Sequence, residues 1–127
     1  MTQRSAEITP AMARKTAIIS GGARGIGRCL VRRFLELDYR VVVFDVQEEE
    51  LEHCAQVHLK KYSDKGDLSS AICNLRDPQE IYKKVDEAAK FLNGRIDVLV
   101  NNGAIASPFW KEGKTMADRE TLGEWQA

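Results

Sequence analysis

The chain has 127 residues, of which 43% are apolar and 30% charged, and its 19 basic residues balance its 19 acidic ones. This length fits one domain and is too short for two, and the composition is that of an ordinary globular protein. Because the formal net charge is zero, no overall field attracts nucleic acid or an anionic membrane, and no apolar run approaches the roughly 20 residues that span a bilayer.

The first half of the chain predicts two strands, each followed by a helix. Residues 1–14 are polar and lack the apolar core of a secretory signal, so we expect a disordered tail and a cytoplasmic protein. Thr16–Ser20 and Arg40–Asp45 are short apolar runs that predict buried strands. Residues 47–61 predict a helix with an acidic first turn. The helix between the two strands is predicted by apolar residues at helical spacing, namely Ile26, Leu30, Val31, Phe34, Leu35 and Leu37.

The clearest helix start in the chain lies further on. Asp77 can cap this helix, Pro78 suits its first position, and Glu80 can complete a capping box. Gly94 ends the helix. Its predicted buried stripe consists of Ile81, Val85, Ala88, Ala89 and Leu92.

Two further strands complete a recognisable alternation. Residues 70–75 and 96–100 predict the third and fourth strands, and residues 121–124 form a capping box for one more helix. Strands that alternate with helices predict a parallel sheet with right-handed crossovers. We therefore predict an α/β, Rossmann-like doubly wound sheet with strand order 3-2-1-4, truncated after about four strands.

A glycine-rich loop joins the first predicted strand to its helix. Gly21, Gly25 and Gly27 would permit a tight turn, a close approach of a ligand and the packing of helix on strand. A diphosphate needs main-chain N–H groups at a helix N-terminus with no Cβ in the way. Asp45, at the tip of the second strand, can accept hydrogen bonds from an adenosine ribose. The alternative, a helix cap beside a solvated aspartate, requires two strands, a helix and an acid to coincide by chance.

The cysteines and histidines indicate neither a disulfide framework nor a metal site. Cys29, Cys54 and Cys73 stand at irregular spacing without a Cys-x-x-Cys pair. His53 and His58 flank Cys54 on a predicted helix, but no carboxylate or second cluster completes a ligand set. We interpret these three residues as an ordinary helix surface and predict no bound metal.

The spacing of the glycines, Gly21-x-x-x-Gly25-x-Gly27 after Ser20, resembles the TGxxxGxG motif of the short-chain dehydrogenases/reductases. Residues 97–102, Asp-Val-Leu-Val-Asn-Asn, resemble the segment that leads into that family's Asn-Asn-Ala-Gly motif. The resemblance covers about residues 15–127 and implies a partial NAD(P)-binding Rossmann domain. The cofactor-binding residues that it implies, together with the loop arginine and the acid, are Ser20, Gly21, Arg24, Gly25, Ile26, Gly27, Asp45, Asn74, Leu75, Asn101, Asn102 and Gly103.

The chain departs from the family pattern at three positions. Ser20 replaces threonine and keeps its hydroxyl, and Asn74 stands where the family often has an aspartate facing the adenine. Gly103 and Ala104 exchange the usual alanine and glycine, so Ala104 would be strained by about 1 kcal/mol or more if its φ is positive.

The identity of the cofactor depends on two opposite charges. Asp45 would repel the 2′-phosphate of NADP, whereas Arg24 in the loop could attract it. Because the aspartate lies closer to the discriminating oxygen, we expect NAD, with NADP as the alternative.

The residues that would complete catalysis are missing from the sequence. The family pairs a serine with Tyr-x-x-x-Lys, in which the tyrosine is the acid/base and the lysine lowers its pKa. The three tyrosines, Tyr39, Tyr62 and Tyr82, are followed four places on by valine, glycine and aspartate. We therefore name no catalytic residue and expect the 127-residue chain alone to be inactive.

Three functions remain open on these grounds. The leading hypothesis is an incomplete oxidoreductase whose parent moves hydride between NAD(P) and a small-molecule alcohol or carbonyl. The second is a non-catalytic dinucleotide-binding module that associates, with itself or another chain, through the open sheet edge at residues 96–100. The third is a remnant that binds nothing well. The uncovered sheet face and edge also predict marginal stability for the chain alone.

Overall fold

The structure is a computed structural model and describes residues 13–103. Its elements in chain order are β1 (Thr16–Ser20), α1 (Gly25–Glu36), β2 (Arg40–Asp45), α2 (Glu48–His53), a π-helical turn (Cys54–His58), α3 (Lys60–Asp64), β3 (Leu68–Ile72), α4 (Pro78–Phe91) and β4 (Val98–Asn101). Among these residues, no helix has both the length and the apolar character needed to cross a membrane.

The four strands form one parallel sheet in the order β3-β2-β1-β4. In the register of the sheet, Ile18 of β1 lies opposite Val42 of β2 on one side and Leu99 of β4 on the other. The predicted α/β class and strand order are therefore confirmed. Because the strands are parallel, their carboxyl ends meet at a single edge of the sheet.

Alternate residues of β1 and β2 feed two separate cores. Ile19 and Val43 face α1 and the helices that follow β2, where they pack with Val31 and Leu35. Ile18, Val42 and Phe44 face the opposite side and pack against Ala88 and Leu92 of α4. The crossovers thus place α1 and α2 on one face and α4 on the other, as right-handed connections require.

The buried line of α1 is narrower than the sequence predicted. Gly27, Val31 and Leu35, spaced four apart, face the sheet. Ile26 is 75% exposed and Leu37 54% exposed, so these two apolar residues of the predicted helix do not join its buried face. The reason is positional: Ile26 lies in the first turn, beyond the end of β1, and Leu37 is the C-cap.

The predicted single helix over residues 47–61 is divided by the π-helical turn. The Leu59 N–H donates to the Cys54 carbonyl, five residues back, at 2.9 Å. This wider turn brings Leu59 rather than His58 to the core, where Leu59 is buried beside Leu51 and Tyr62. The acidic first turn is present as expected, and the helical segment continues to Asp64.

The third and fourth strands are displaced from their predicted ranges of 70–75 and 96–100. β3 starts earlier because Leu68 pairs with Val41, and the chain then turns at Asn74, whose carbonyl accepts the Asp77 N–H. β4 starts later because Asp97 bonds sideways to β1, with its carboxylate accepting the Thr16 N–H at 2.8 Å. Both predictions had the right element with the wrong bounds.

The remaining helix is capped by Asp77 and ends at Gly94 as predicted, but the Asp77 N–H donates to the Asn74 carbonyl and not to the Glu80 side chain of the predicted capping box. The Asp77 carboxylate accepts the N–H groups of Gln79 and Glu80, and Pro78 occupies the first position of α4. At the other end, Gly94 has a positive φ of 80° and its N–H donates to the Ala89 carbonyl.

An ion-pair cluster ties the start of the described segment to the amino-terminal edge of the sheet. Arg14 Nη1 lies 2.9 Å from Asp67 Oδ1, and Arg14 Nη2 lies 3.2 Å from Asp38 Oδ1. Of the tail over residues 1–14 that we predict to be disordered, residues 1–12 lie outside the described residues, and Arg14 is held by these ion pairs. The residue 121–124 capping box and the proposed strain at Ala104 lie outside the described residues.

We expect the core between the sheet and α1 to be sensitive to cavities. Ile19→Ala removes a fully buried side chain and should lower the free energy of unfolding by about 2–5 kcal/mol. Leu99→Ala, at a position 59% exposed, should cost less than about 1 kcal/mol. Urea denaturation followed by circular dichroism measures both, and equal losses would contradict this assignment of the core.

The Arg14 cluster should make stability depend on pH. The hydrogen bond from Arg14 lowers the pKa of Asp67, with help from the charges of Arg14 and Lys65. A carboxyl with a lowered folded pKa contributes stability that is present above its unfolded pKa, about 3.9, and lost as the pH falls through the folded value. Asp67→Asn should therefore cost up to about 1 kcal/mol near neutral pH, where solvent screens the pair, and progressively less below about pH 4. Urea denaturation near neutral pH and below pH 4 checks the sign, with the exposed Asp86→Asn as the control.

Candidate functional site

The glycine-rich loop lies at the carboxyl edge of the sheet, between the ends of β2 and β4. Gly21 and Gly25 have positive φ angles of 65° and 59°, which a side chain would strain. The Gly21 N–H donates to the Phe44 carbonyl of β2 at 2.7 Å. The loop is therefore attached to the neighbouring strand at the point where it leaves β1.

Close backbone packing holds the loop, the first turn of α1 and the end of β4 together. A Cβ on Gly27 would overlap the Gly21 carbonyl oxygen and lie 2.6 Å from Asn102 Nδ2. A Cβ on Gly21 would lie 2.8 Å from Gly103 Cα. Around Gly25, by contrast, the described part of the chain places no atom within 4 Å of a Cβ. Two glycines thus serve packing, and the third leaves open space at the helix start.

The N-terminus of α1 is left without a protein cap among the described residues. Arg24 occupies the N-cap position with no side-chain hydrogen bond, and the first turn contains no acidic residue. The first N–H groups of a helix have no partner within the helix. The N–H groups of Gly25, Ile26 and Gly27, at the positive end of the helix dipole, are therefore suited to bind an anion.

Asp45 lies beside the loop with both carboxylate oxygens engaged. Oδ2 accepts the Ala23 N–H at 3.2 Å, while Oδ1 accepts the N–H groups of Val46 at 2.7 Å and Gln47 at 3.3 Å. The carboxylate therefore lies at the crevice between the ends of β1 and β2. Ile72, which is paired with Asp45 in the sheet, and Val46 add exposed apolar surface at the same edge.

The end of β4 is held by a serine and an asparagine. The buried Ser20 hydroxyl accepts the N–H groups of Asn102 at 3.2 Å and Gly103 at 3.0 Å, and lies 3.3 Å from the Val100 carbonyl, to which it can donate. Asn102 Nδ2 donates to the Gly21 carbonyl at 2.9 Å. Asn101 is the last residue of β4 and is exposed. The structure thus joins Ser20, Gly21 and Asn102 in one network.

Asn74 and Leu75 follow β3 and do not end it, because the strand stops at Ile72. The Asn74 side-chain oxygen already accepts the Arg76 N–H at 3.0 Å, within a local turn. Leu75 Cδ1 would lie 2.8 Å from a Cβ on Gly103, so this side chain packs against the end of β4. Both residues thus follow the carboxyl end of β3, and Leu75 reaches across to the end of β4.

The structure places Cys54 under the loop, contrary to its interpretation as part of a helix surface. Cys54 is buried, and its Sγ lies 3.8 Å from the Gly22 carbonyl oxygen, to which it donates. Burial raises the pKa of the Cys54 thiol, which keeps the donor protonated. His53 and His58 are exposed, and within residues 13–103 no group of three or more side chains could hold a metal ion. Cys54 lies three residues after the buried Leu51, and this helical spacing is the sequence signal that could have placed it on the buried face.

Comparison with known proteins gives a consistent result. The family described as short chain dehydrogenase matches residues 15–126. The chain is 38% identical over 96 residues to 3beta-hydroxysteroid dehydrogenase 2 of Eggerthella lenta, which covers 76% of this chain and 35% of that protein. It is 38% identical over 112 residues to the short chain dehydrogenase/reductase dpmpG of Macrophomina phaseolina, covering 86% of this chain and 60% of the relative. The chain thus spans between about a third and three fifths of these two relatives.

Solved structures show the same fold. A short chain dehydrogenase/reductase from Burkholderia phymatum in complex with NAD superposes with a TM-score of 0.70 at 19% identity, covering 88% of this chain and 36% of that one. Actinorhodin polyketide ketoreductase with NADPH superposes with a TM-score of 0.65 at 29% identity, covering 74% and 34% of the two chains.

The backbone packing around Gly27 gives a test of the site's geometry. Gly27→Ala should destabilise the protein by about 3 kcal/mol or more, because the methyl group meets main-chain atoms that cannot move aside. Gly25→Ala has free space and should cost only about 1 kcal/mol for its positive φ. Thermal and urea unfolding measure the stability of the two variants. A larger loss of stability in Gly25→Ala than in Gly27→Ala would contradict the packing described.

Proposed function

The chain belongs to the short-chain dehydrogenase family, and on that premise we propose that it binds a nicotinamide dinucleotide at the carboxyl edge of its sheet. One observation carries the proposal: the uncapped N–H groups at the start of α1 lie beside a loop whose glycines admit a diphosphate. Asp45, at the end of β2, accepts the Ala23 N–H of this loop and lies where the adenosine ribose of a dinucleotide would follow its diphosphate.

In this proposal, each part of the cofactor would contact a different part of this edge. The diphosphate would contact the N–H groups of the glycine loop, with the Arg24 guanidinium nearby as a positive charge. Asp45 would accept a ribose hydroxyl. The adenine would lie towards β3. The residues that we propose to bind the cofactor or to shape its site are Ser20, Gly21, Arg24, Gly25, Ile26, Gly27, Asp45, Asn74, Leu75, Asn101, Asn102 and Gly103.

We propose NAD rather than NADP as the preferred cofactor. The Asp45 carboxylate accepts three main-chain N–H groups, so turning it away from the ribose would break those hydrogen bonds. A 2′-phosphate would therefore meet a fixed negative charge at short range. Arg24 is exposed and has no side-chain capping bond, so its attraction for a phosphate is weaker than that of a fixed, buried cation.

The activity that we propose for the whole protein is that of its family, an NAD(P)-dependent oxidoreductase acting on a small-molecule alcohol or carbonyl. The bound nicotinamide supplies the hydride chemistry, and the residues of this chain bind and orient the cofactor. The 127 residues contain no Tyr-x-x-x-Lys pair to donate or accept the substrate proton. We therefore propose that these residues alone bind the cofactor without turnover. The cytoplasmic location stays a prediction.

Titration calorimetry with NADH tests the proposal directly. We expect saturable binding together with a rise in the melting temperature, because a ligand of the folded state stabilises it. NADPH should bind more weakly. Asp45→Ser, which removes the carboxylate, should narrow the preference for NADH roughly tenfold, equivalent to about 1.4 kcal/mol.

The control for this titration is Asp86→Asn, which removes an equal charge from an exposed position of α4 and should leave both affinities unchanged. Absence of both heat and thermal stabilisation with NADH and NADPH would rule out nucleotide binding by this chain. An unchanged preference in Asp45→Ser would instead rule out the role of Asp45 in choosing the cofactor.

A further inference from the structure

We propose that Asp45 is also a positioning residue, whose carboxylate holds the glycine-rich loop in its binding conformation before any nucleotide arrives. The contact is the hydrogen bond from the Ala23 N–H to Asp45 Oδ2, at 3.2 Å. The inference rests on the proposed function in one respect only, that the loop is the phosphate site.

The hydrogen bond to Asp45 is important because Ala23 is buried. Ala23 has no exposed surface, and its N–H donates to the Asp45 carboxylate. A buried main-chain N–H without a partner is unfavourable, and a bond to an ionised acceptor is stronger than one to a neutral acceptor. In the described part of the chain, Asp45 is the partner of this N–H.

The same carboxylate is fixed from its other side. Oδ1 accepts the N–H groups of Val46 and Gln47, which orient the side chain at the end of β2. A carboxylate has about four acceptor positions, and these three bonds use most of them. Asp45 therefore forms a rigid bridge from the end of β2 to Ala23, with one position on Oδ2 left for a ribose hydroxyl.

The other attachments of the loop lie nearer to β1. The Gly21 N–H donates to the Phe44 carbonyl, the Gly21 carbonyl accepts from Asn102, and the Gly22 carbonyl accepts from Cys54. Ala23 directly precedes Arg24, the N-cap of α1. The bond to Asp45 thus fixes the chain two residues before Gly25, whose N–H is the first of the groups that would meet a diphosphate. Removing this bond should loosen the binding end of the loop and leave its beginning in place.

Amide hydrogen exchange in the nucleotide-free full chain, measured by NMR, tests the inference. In Asp45→Ala and in Asp45→Asn we expect the Ala23 amide to exchange about tenfold faster than in the unaltered protein, as expected for one lost charge-assisted hydrogen bond. In Asp45→Asn the remaining oxygen should stay with the N–H pair of Val46 and Gln47, which leaves the amide NH₂ facing Ala23. The Ala23 amide proton should also move upfield in both variants, a signature that general destabilisation does not produce.

Core amides and a matched charge variant serve as controls. The exchange rates of the Ile18 and Val42 amides should stay within about twofold of those in the unaltered protein. A change of this size is smaller than the loss of a hydrogen bond would produce. Asp86→Asn should leave Ala23 unchanged. An unaltered Ala23 exchange rate and chemical shift in both Asp45 variants would overturn the inference, as would an equal acceleration at Ile18 and Val42. The exchange experiment contains no nucleotide, so its outcome does not depend on NADH binding. A failure to bind NADH would contradict the proposed function and would leave the role of Asp45 in holding the loop as a separate result.

Discussion

Among the described glycines, Gly27 leaves the least room for a side chain, and the rest of the site depends on this close packing. Its Cα lies so near the Gly21 carbonyl that a methyl group would overlap this oxygen, and Asn102 reaches the same carbonyl from β4. This contact sets the distance between the first turn of α1 and the ends of β1 and β4. The direction of the helix N-terminus at the carboxyl edge of the sheet depends on that distance.

The accuracy of the sequence prediction follows burial. β1 and β2 were predicted to the residue because a strand covered on both faces is a continuous apolar run, and these two lie in the middle of the sheet. β3 and β4 were displaced because each has a half-exposed face and polar residues that a pattern cannot separate from a turn. Asp97 is the clearest case, since only the structure reveals its bond to Thr16.

The site was predictable where chemistry dictates residue type and less so where tertiary contacts do. The glycine spacing and the acid at the end of the second predicted strand are enough to locate the loop and Asp45 from the sequence. The three hydrogen bonds that fix the Asp45 carboxylate depend on the main-chain path and leave no trace in the residue types. The π-helical turn that brings Leu59 to the core likewise leaves no signal in the residue types.

The apolar rim of the crevice has a thermodynamic consequence. Ile26, Val46, Ile72 and Leu75 all leave large apolar surfaces in water near the end of the sheet where a nucleotide would lie. Covering such surface lowers the heat capacity of the complex, so the enthalpy of association becomes more negative as the temperature rises. Covering polar surface, as at the diphosphate, changes the heat capacity in the opposite direction. The change of the binding enthalpy with temperature therefore indicates how much of the apolar rim a ligand would cover. This quantity is separate from the affinity that the loop would have for the phosphates.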